Sequence, residues 1–196
     1  EKIYYACGEA PEKIALLPQT EAVVAKGFDV LCFTDDVDEF AVQMLMEYDG
    51  KQFANICKDD LNLSSEEEKK ALTEKNEASK EMLDEMKNWL GDDVTAVKFS
   101  DKLGSHAVCL SSEGYVSLDM AKILSRMPGG NNGVKAQLVL EINKDHKVAE
   151  KLFELFASDK EKLEKYTKIL YNEARLVSGL EVENPTEFAD MVADLM

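Results

Sequence analysis

Val30 to Leu63, VLCFTDDVDEFAVQMLMEYDGKQFANICKDDLNL, reads as strand, acid-capped helix, turn and strand in unbroken succession. The apolar run at 28–33 ends in Val30, Leu31, Cys32 and Phe33. Thr34 then opens a helix, expected over 35–48, whose first turn carries Asp35, Asp36, Asp38 and Glu39. Carboxylates there complement the positive end of the helix dipole. A strand over 52–57 follows, and upstream stand a strand at 2–7 and a helix at 11–26 ended by Gly27. Such β-α-β-α-β order predicts a small parallel sheet with right-handed crossovers.

From Asn62 onward the pattern changes. Ser64 with Glu67 and Ser65 with Glu68 each fit a capping box, and a charged helix is expected to run to Leu90, where Gly91 stops it. Leu72, Met82, Leu83, Met86, Trp89 and Leu90 turn to a second core. Strands are expected near 94–99, 107–110 and 135–142, with a helix from Tyr115 to Met127 closed by Pro128 and Gly129-Gly130-Asn131-Asn132-Gly133. Those glycines match no phosphate-binding pattern and read as a plain loop. The last sixty residues are helical: Asp145 precedes one helix, Ser158 and Glu161 form a capping box for the next, and Asn184, Pro185 and Glu187 start the last. The expected fold class is therefore α+β: a small βαβαβ α/β domain at 1–63, then an α+β domain at 64–196 ending in a helical bundle.

Composition bounds the function. The 196 residues are 45% hydrophobic, enough for real cores, and carry a formal net charge of −16. That charge disfavours direct binding to nucleic acid or anionic lipid, which need clustered Lys and Arg. No apolar run approaches the roughly 20 residues that span a bilayer, and no signal-peptide pattern opens the chain, so it reads as a soluble, cytoplasmic fragment. Cys7, Cys32, Cys57 and Cys109 form no C-x-x-C pair and are expected as buried, reduced thiols. His106 and Cys109, three apart in a strand, point to opposite faces, which argues against a metal or nucleophile pair.

The cluster Asp35, Asp36, Asp38 and Glu39 admits a metal-dependent hydrolase as an alternative. It lacks the spacing and turn glycine of a calcium loop, and exposure at a helix start gives no reason for a raised pKa. Capping and solubility explain it better. No catalytic residue and no metal ligand is assigned.

Two apolar stripes remain. Leu163, Tyr166, Leu170, Ala174 and Val177 line one helix, and Phe188, Met191, Val192 and Leu195 line the final one. Such a hairpin hides its surface either on its own domain or on a second copy, where two hairpins make a four-helix bundle. Val116, Met120, Ile123, Leu124 and Met127 form a third apolar face, which is either core or, flanked by glycine-bearing loops and rich in adaptable methionine, an exposed contact surface.

The order Thr34-Asp35 through Asp38-Glu39-Phe40, followed by Glu47-Tyr48-Asp49-Gly50-Lys51, resembles the distal middle domain of the bacterial Hsp90 chaperones. Leu140-Glu141-Ile142-Asn143-Lys144-Asp145-His146 is similar to that family's L-E-I-N-P-D-H signature, with Lys144 in place of proline and Lys147 where a second proline is common. The x-E-N-P-x-x-F pattern within Leu180 to Leu195 resembles the family's terminal helix, and neither the Met-Glu-Glu-Val-Asp nor the Lys-Asp-Glu-Leu tail of eukaryotic members follows it. The resemblance implies a fragment that joins the end of the middle domain to the C-terminal dimerisation domain. It implies a homodimer held by the hairpin stripes, and a surface for unfolded or partly folded clients on the helix Tyr115 to Met127. By residue correspondence it adds Glu39, Phe40 and Gln43 to that surface, with Phe40 standing where some members have Trp. The ATP and magnesium of the full-length family belong to an absent domain, so no cofactor and no ATPase activity are expected here.

Overall fold

The computed structural model describes residues 2–58, 61, 63–127 and 135–195. In chain order its elements are β1 (Lys2–Cys7), α1 (Pro11–Ala15), α2 (Pro18–Ala25), β2 (Leu31–Phe33), α3 (Asp38–Leu45), β3 (Glu47–Tyr48), β4 (Lys51–Asn55), α4 (Glu66–Ala78) and α5 (Lys80–Leu90). There follow β5 (Ala96–Ser100), β6 (Val108–Glu113), α6 (Leu118–Arg126), β7 (Gln137–Asn143), α7 (Lys147–Ser158), α8 (Lys160–Val177) and α9 (Pro185–Ala193). The fold is α+β, in two compact units. The first comprises residues up to Leu63 together with Ser111–Leu138; the second comprises Ser64–Leu110 and Val139 onward. A single boundary at Leu63 therefore leaves out one feature: α6 belongs with the first unit. The glycine-rich stretch 128–133 lies outside the described residues.

The first unit is built on a sheet ordered β2-β1-β4-β3. β1 runs parallel to both β2 (Tyr5 opposite Leu31) and β4 (Ile3 opposite Phe53), while β3 joins β4 antiparallel. Alternation along β1 sends Ala6 to a core with Ile14, Val23, Ile56 and Leu61, and sends Tyr5 and Cys7 to the other face with Val42. The Tyr5 ring meets Phe33 and Phe53 edge-on, with centroids 5.7 and 6.2 Å away.

Two expected helices change here. The helix at 11–26 is broken, because Pro18 forces Leu17 into an extended conformation (φ −68°, ψ 138°). The helix at 35–48 ends at Leu45, since Asp49-Gly50, with φ of 51° and 72°, makes a two-residue hairpin turn between Tyr48 and its partner Lys51. Asp-Gly is a strong sequence sign of such a turn. The sheet is accordingly mixed, not all-parallel.

The second unit has a sheet ordered β5-β7-β6, with β5 and β7 parallel from Ala96 opposite Val139 to Ser100 opposite Asn143. The charged helix expected at 64–90 is two helices joined at Ser79. Ser65, not Ser64, makes the capping box with Glu68; the Ser64 hydroxyl instead donates to Asp101 at 2.5 Å. Asn76 completes the outer edge of β5, accepting from Phe99 N–H at 2.8 Å and donating to Phe99 C=O at 3.1 Å. On α5, Met82, Leu83, Met86 and Leu90 are buried, and Leu72 and Trp89 are half-buried. α8 packs against α5, α7 and α9. Its cap is Asp159, whose carboxylate accepts from Lys162 N–H at 2.9 Å, so the Ser158–Glu161 box does not form: Ser158 turns back to Glu154 C=O. At α7 the cap is His146, whose Nδ1 accepts from Val148 N–H at 3.2 Å. Among the described residues, no helix is long and apolar enough to cross a membrane.

Candidate functional site

In the first unit the site starts from a buried carboxylate. Glu39 lies in the first turn of α3, yet it is 1% exposed, so the expectation of an exposed acidic cluster fails at this one residue. Its Oε1 accepts from Asn55 Nδ2 at 2.8 Å, and its Oε2 accepts from the Ser117 hydroxyl. Ser117 in turn is the N-cap of α6 and accepts from Met120 N–H at 3.1 Å. One carboxylate thus joins α3, β4 and the start of α6. Burial raises the Glu39 pKa and the Asp119 charge adds to that, while the Ser117 and Asn55 hydrogen bonds and Lys58 oppose it. The same burial raises Tyr5 and Cys7, each with Glu39 as its largest charged neighbour.

Gln43, one turn along α3, directs its Nε2 to the Met120 sulfur at 3.0 Å. Glu39, Gln43 and Met120, predicted separately as contact residues, therefore stand together. Their exposure is less than expected. Met120 is 2% exposed and Ile123 is also buried, Phe40, Gln43, Val116 and Leu124 are half-buried, and Met127 is exposed. The expected open apolar face on α6 is thus largely closed, because a nine-residue helix tied down at its first turn by Ser117 turns that stripe inward.

Beside this junction a cleft of about 670 Å³ is lined by Gln43, Met46, Phe53, Lys58 and Tyr115 among others. Lys58 Nζ closes one end on the carbonyls of Gly114 (2.5 Å) and Tyr115 (3.1 Å). Met46 and Tyr115 on its lining are exposed, as are Met44 and Tyr48 nearby in sequence, apolar surface that periodicity did not single out. Asp35 and Asp36 are exposed and Asp38 is half-buried; the Asp38 carboxylate accepts from Asp35 N–H at 3.0 Å and so acts as a local cap. Among the described residues no group of three or more His, Cys, Asp and Glu is placed to hold a metal ion. Cys7 and Cys109 are buried, Cys57 is intermediate, and Cys32 is exposed, contrary to its strand-core expectation, because β2 is a three-residue edge strand.

In the second unit the two hairpin stripes have different fates. Leu163, Leu170 and Ala174 are buried within the chain, Tyr166 and Val177 half-buried. Leu163, Leu170 and Ala174 are thus core, not free interface. On α9 no residue is buried: Phe188, Met191 and Val192 are half-buried, as is Leu195 just beyond its end. Asn184 caps that helix, accepting from Glu187 N–H at 3.1 Å and donating to the Glu187 carboxylate at 3.0 Å.

The chain thus comprises a mixed α/β unit and an α+β unit that ends in a helical hairpin whose last helix is only half-buried. The chain belongs to the Hsp90 family: the family model for the Hsp90 protein matches residues 1–196. It is 50% identical over 194 residues to the chaperone protein HtpG of Clostridium perfringens (strain 13 / Type A), 49% over 195 residues to that of Clostridium acetobutylicum and 45% over 194 residues to that of Bacillus subtilis (strain 168). Each match covers 99% of this chain but only 30 to 31% of the relative, so the chain spans about a third of the length of the curated relatives it matches.

Proposed function

We propose that this chain is the dimerising, client-contacting portion of a cytoplasmic, ATP-dependent bacterial chaperone, and that it has no ATPase activity of its own. The observation that carries the dimer is α9: nine residues long, with three large apolar side chains, Phe188, Met191 and Val192, followed by Leu195, and none of them fully buried. An isolated helix of that length is marginal in water, and partly covered apolar surface of this kind favours association with a second copy. The interface is Phe188, Met191, Val192 and Leu195 with Tyr166 and Val177, while Leu163, Leu170 and Ala174 hold α8 in place beneath them. Light scattering of the unaltered chain at micromolar concentration is expected to give twice the chain mass, and Phe188→Asp a folded monomer. A monomeric unaltered chain overturns the reading.

Client contact falls to the accessible part of the first-unit surface: Phe40, Gln43, Val116, Leu124 and Met127, with Glu39, Met120 and Ile123 supporting it from below. ATP with magnesium is expected to leave the melting temperature unchanged, because a ligand stabilises only the state it binds. A saturable shift contradicts this.

A further inference from the structure

We propose that Arg175 is the positioning residue for the dimer helix: it straps the connector between α8 and α9 to the end of α8 and thereby sets the direction in which α9 presents its apolar stripe. The inference rests on the dimer reading for its consequence, but not for its geometry. α8 ends in a closed reversal, with Leu180 N–H on Arg175 C=O at 2.8 Å and Gly179 N–H on Leu176 C=O at 3.0 Å. Gly179 sits at φ 67°, a left-handed position that a side chain would strain. The reversal turns the chain back, but its bonds do not reach the three residues, 181–183, that follow before the Asn184 cap.

The Arg175 side chain does. Its Nε donates to the main-chain carbonyl of Glu181 at 2.8 Å, its Nη1 donates to the Tyr171 hydroxyl at 3.1 Å, and the guanidinium lies over the Tyr171 ring at 5.6 Å. Nη1 also reaches the Glu183 carboxylate at 3.2 Å. The side chain is only 15% exposed, whereas that of Glu183 is 77% exposed, so the carbonyl bond and the ring contact matter more than the ion pair. A bond to a main-chain carbonyl fixes the path of the chain, where a side-chain contact fixes only a rotamer. Lysine, a point charge without a planar fork, cannot stack on the ring and reach the carbonyl together. At its far end α9 is tied to α8 by Lys165 and Asp194 at 3.1 Å, an exposed pair that contributes little. α9 packs on α8 with its apolar residues only half-buried, so the strap, rather than a filled core, sets its orientation.

The test compares Arg175→Met and Arg175→Lys with Lys165→Met, by sedimentation velocity over a concentration series and by hydrogen exchange read by mass spectrometry. Both Arg175 variants are expected to weaken the dimer about tenfold or more. Exchange over 180–195 should accelerate to a similar degree while α5, α7 and α8 keep their protection. Lys165→Met should change neither appreciably. Unchanged dissociation and exchange overturn the proposal, and so does protection lost throughout α5, α7 and α8, which makes Arg175 a general support. If the unaltered chain is a monomer, the dimer reading fails by itself. The exchange comparison then still decides the strap: loss confined to 180–195 upholds it, and no loss overturns it.

Discussion

α6 and α9 are both nine-residue helices, each capped by a side-chain oxygen and each bearing one apolar stripe, yet α6 buries Leu118, Met120 and Ile123 while α9 buries nothing. Periodicity identifies the face that must be covered and is silent about what covers it. The polar residues make the distinction. The cap of α6, Ser117, donates to a buried carboxylate that also holds Asn55, so this helix is specified by partners that only its own unit supplies. The side chain of the α9 cap, Asn184, bonds to Glu187 of the same helix, so no cap contact ties the stripe to the rest of the unit and its packing on α8 leaves it half-buried.

The sharpest way to break this comparison is to place a charge in each unit-two stripe. Leu170 is 4% exposed on α8, and Leu170→Asp is expected to cost about 3 to 5 kcal/mol or to prevent folding of the second unit, since an unpaired charge replaces a packed side chain. Phe188→Asp should instead leave secondary structure intact and shift only the mass. Circular dichroism with light scattering on both variants checks this; two folded monomers would mean that the α8 stripe is interface after all.

A milder contrast truncates one methionine in each short helix. Met120→Ala is expected to lower stability by about 2 to 4 kcal/mol, and Met191→Ala by less than about 1 kcal/mol when measured in a monomeric Phe188→Asp background. The background matters because dimer formation makes melting depend on concentration. Equal losses in urea titrations would erase the distinction between the two helices.

Most of the element order was legible, because strands such as Val30–Phe33 and caps such as Asn184 with Pro185 announce themselves locally. The errors cluster where one residue overrides a longer pattern: Pro18 splits a helix, Asp49-Gly50 turns a helix end into a hairpin, and Ser79 divides the charged helix. The Glu39 site was legible only in part. Glu39, Gln43 and Met120 were singled out, but their burial and the roles of Ser117 and Asn55 were not, since these partners lie 78 and 16 residues from Glu39 in sequence. Ser117, three residues before Met120 and so placed to cap the helix, was the available sign. For α8, the stripe of Leu163, Tyr166, Leu170, Ala174 and Val177 gave no hint that Leu163 and Leu170 were already spent on the core, together with Thr167 and Tyr171.

A smaller effect separates two cysteines of the first sheet. Cys32 on the edge strand is exposed, whereas Cys7 is buried and its thiol pKa is pushed up by burial and by nearby acidic groups. A thiol reagent at pH 8 should modify Cys32 rapidly and Cys7 only as the unit opens, because the thiolate is the reactive form. Mass spectrometry that finds equal rates would contradict the assigned core.

The smallest effect tests the junction that holds α6, through the pH dependence of stability. Burial places the Glu39 pKa above its ordinary 4.5, so between that value and its folded pKa the folded chain binds more protons than the unfolded one. The contribution of this group is therefore fully present below pH 4.5 and is lost as pH rises through the folded pKa. Asp119, also raised by burial, adds a slope of the same sign. Glu39→Gln removes the Glu39 part: relative to the unaltered chain it should gain stability as pH rises from 4.5 through the folded pKa of Glu39 and then level off, a difference in which groups not coupled to Glu39 cancel. Glu39→Ala should instead lower stability by about 1 to 3 kcal/mol at neutral pH, because Asn55 and Ser117 lose their buried acceptor. If Glu39→Gln and the unaltered chain show the same slope in denaturant titrations across that range, Glu39 is not the buried carboxylate that fixes α6, and the contrast with α9 loses its physical basis.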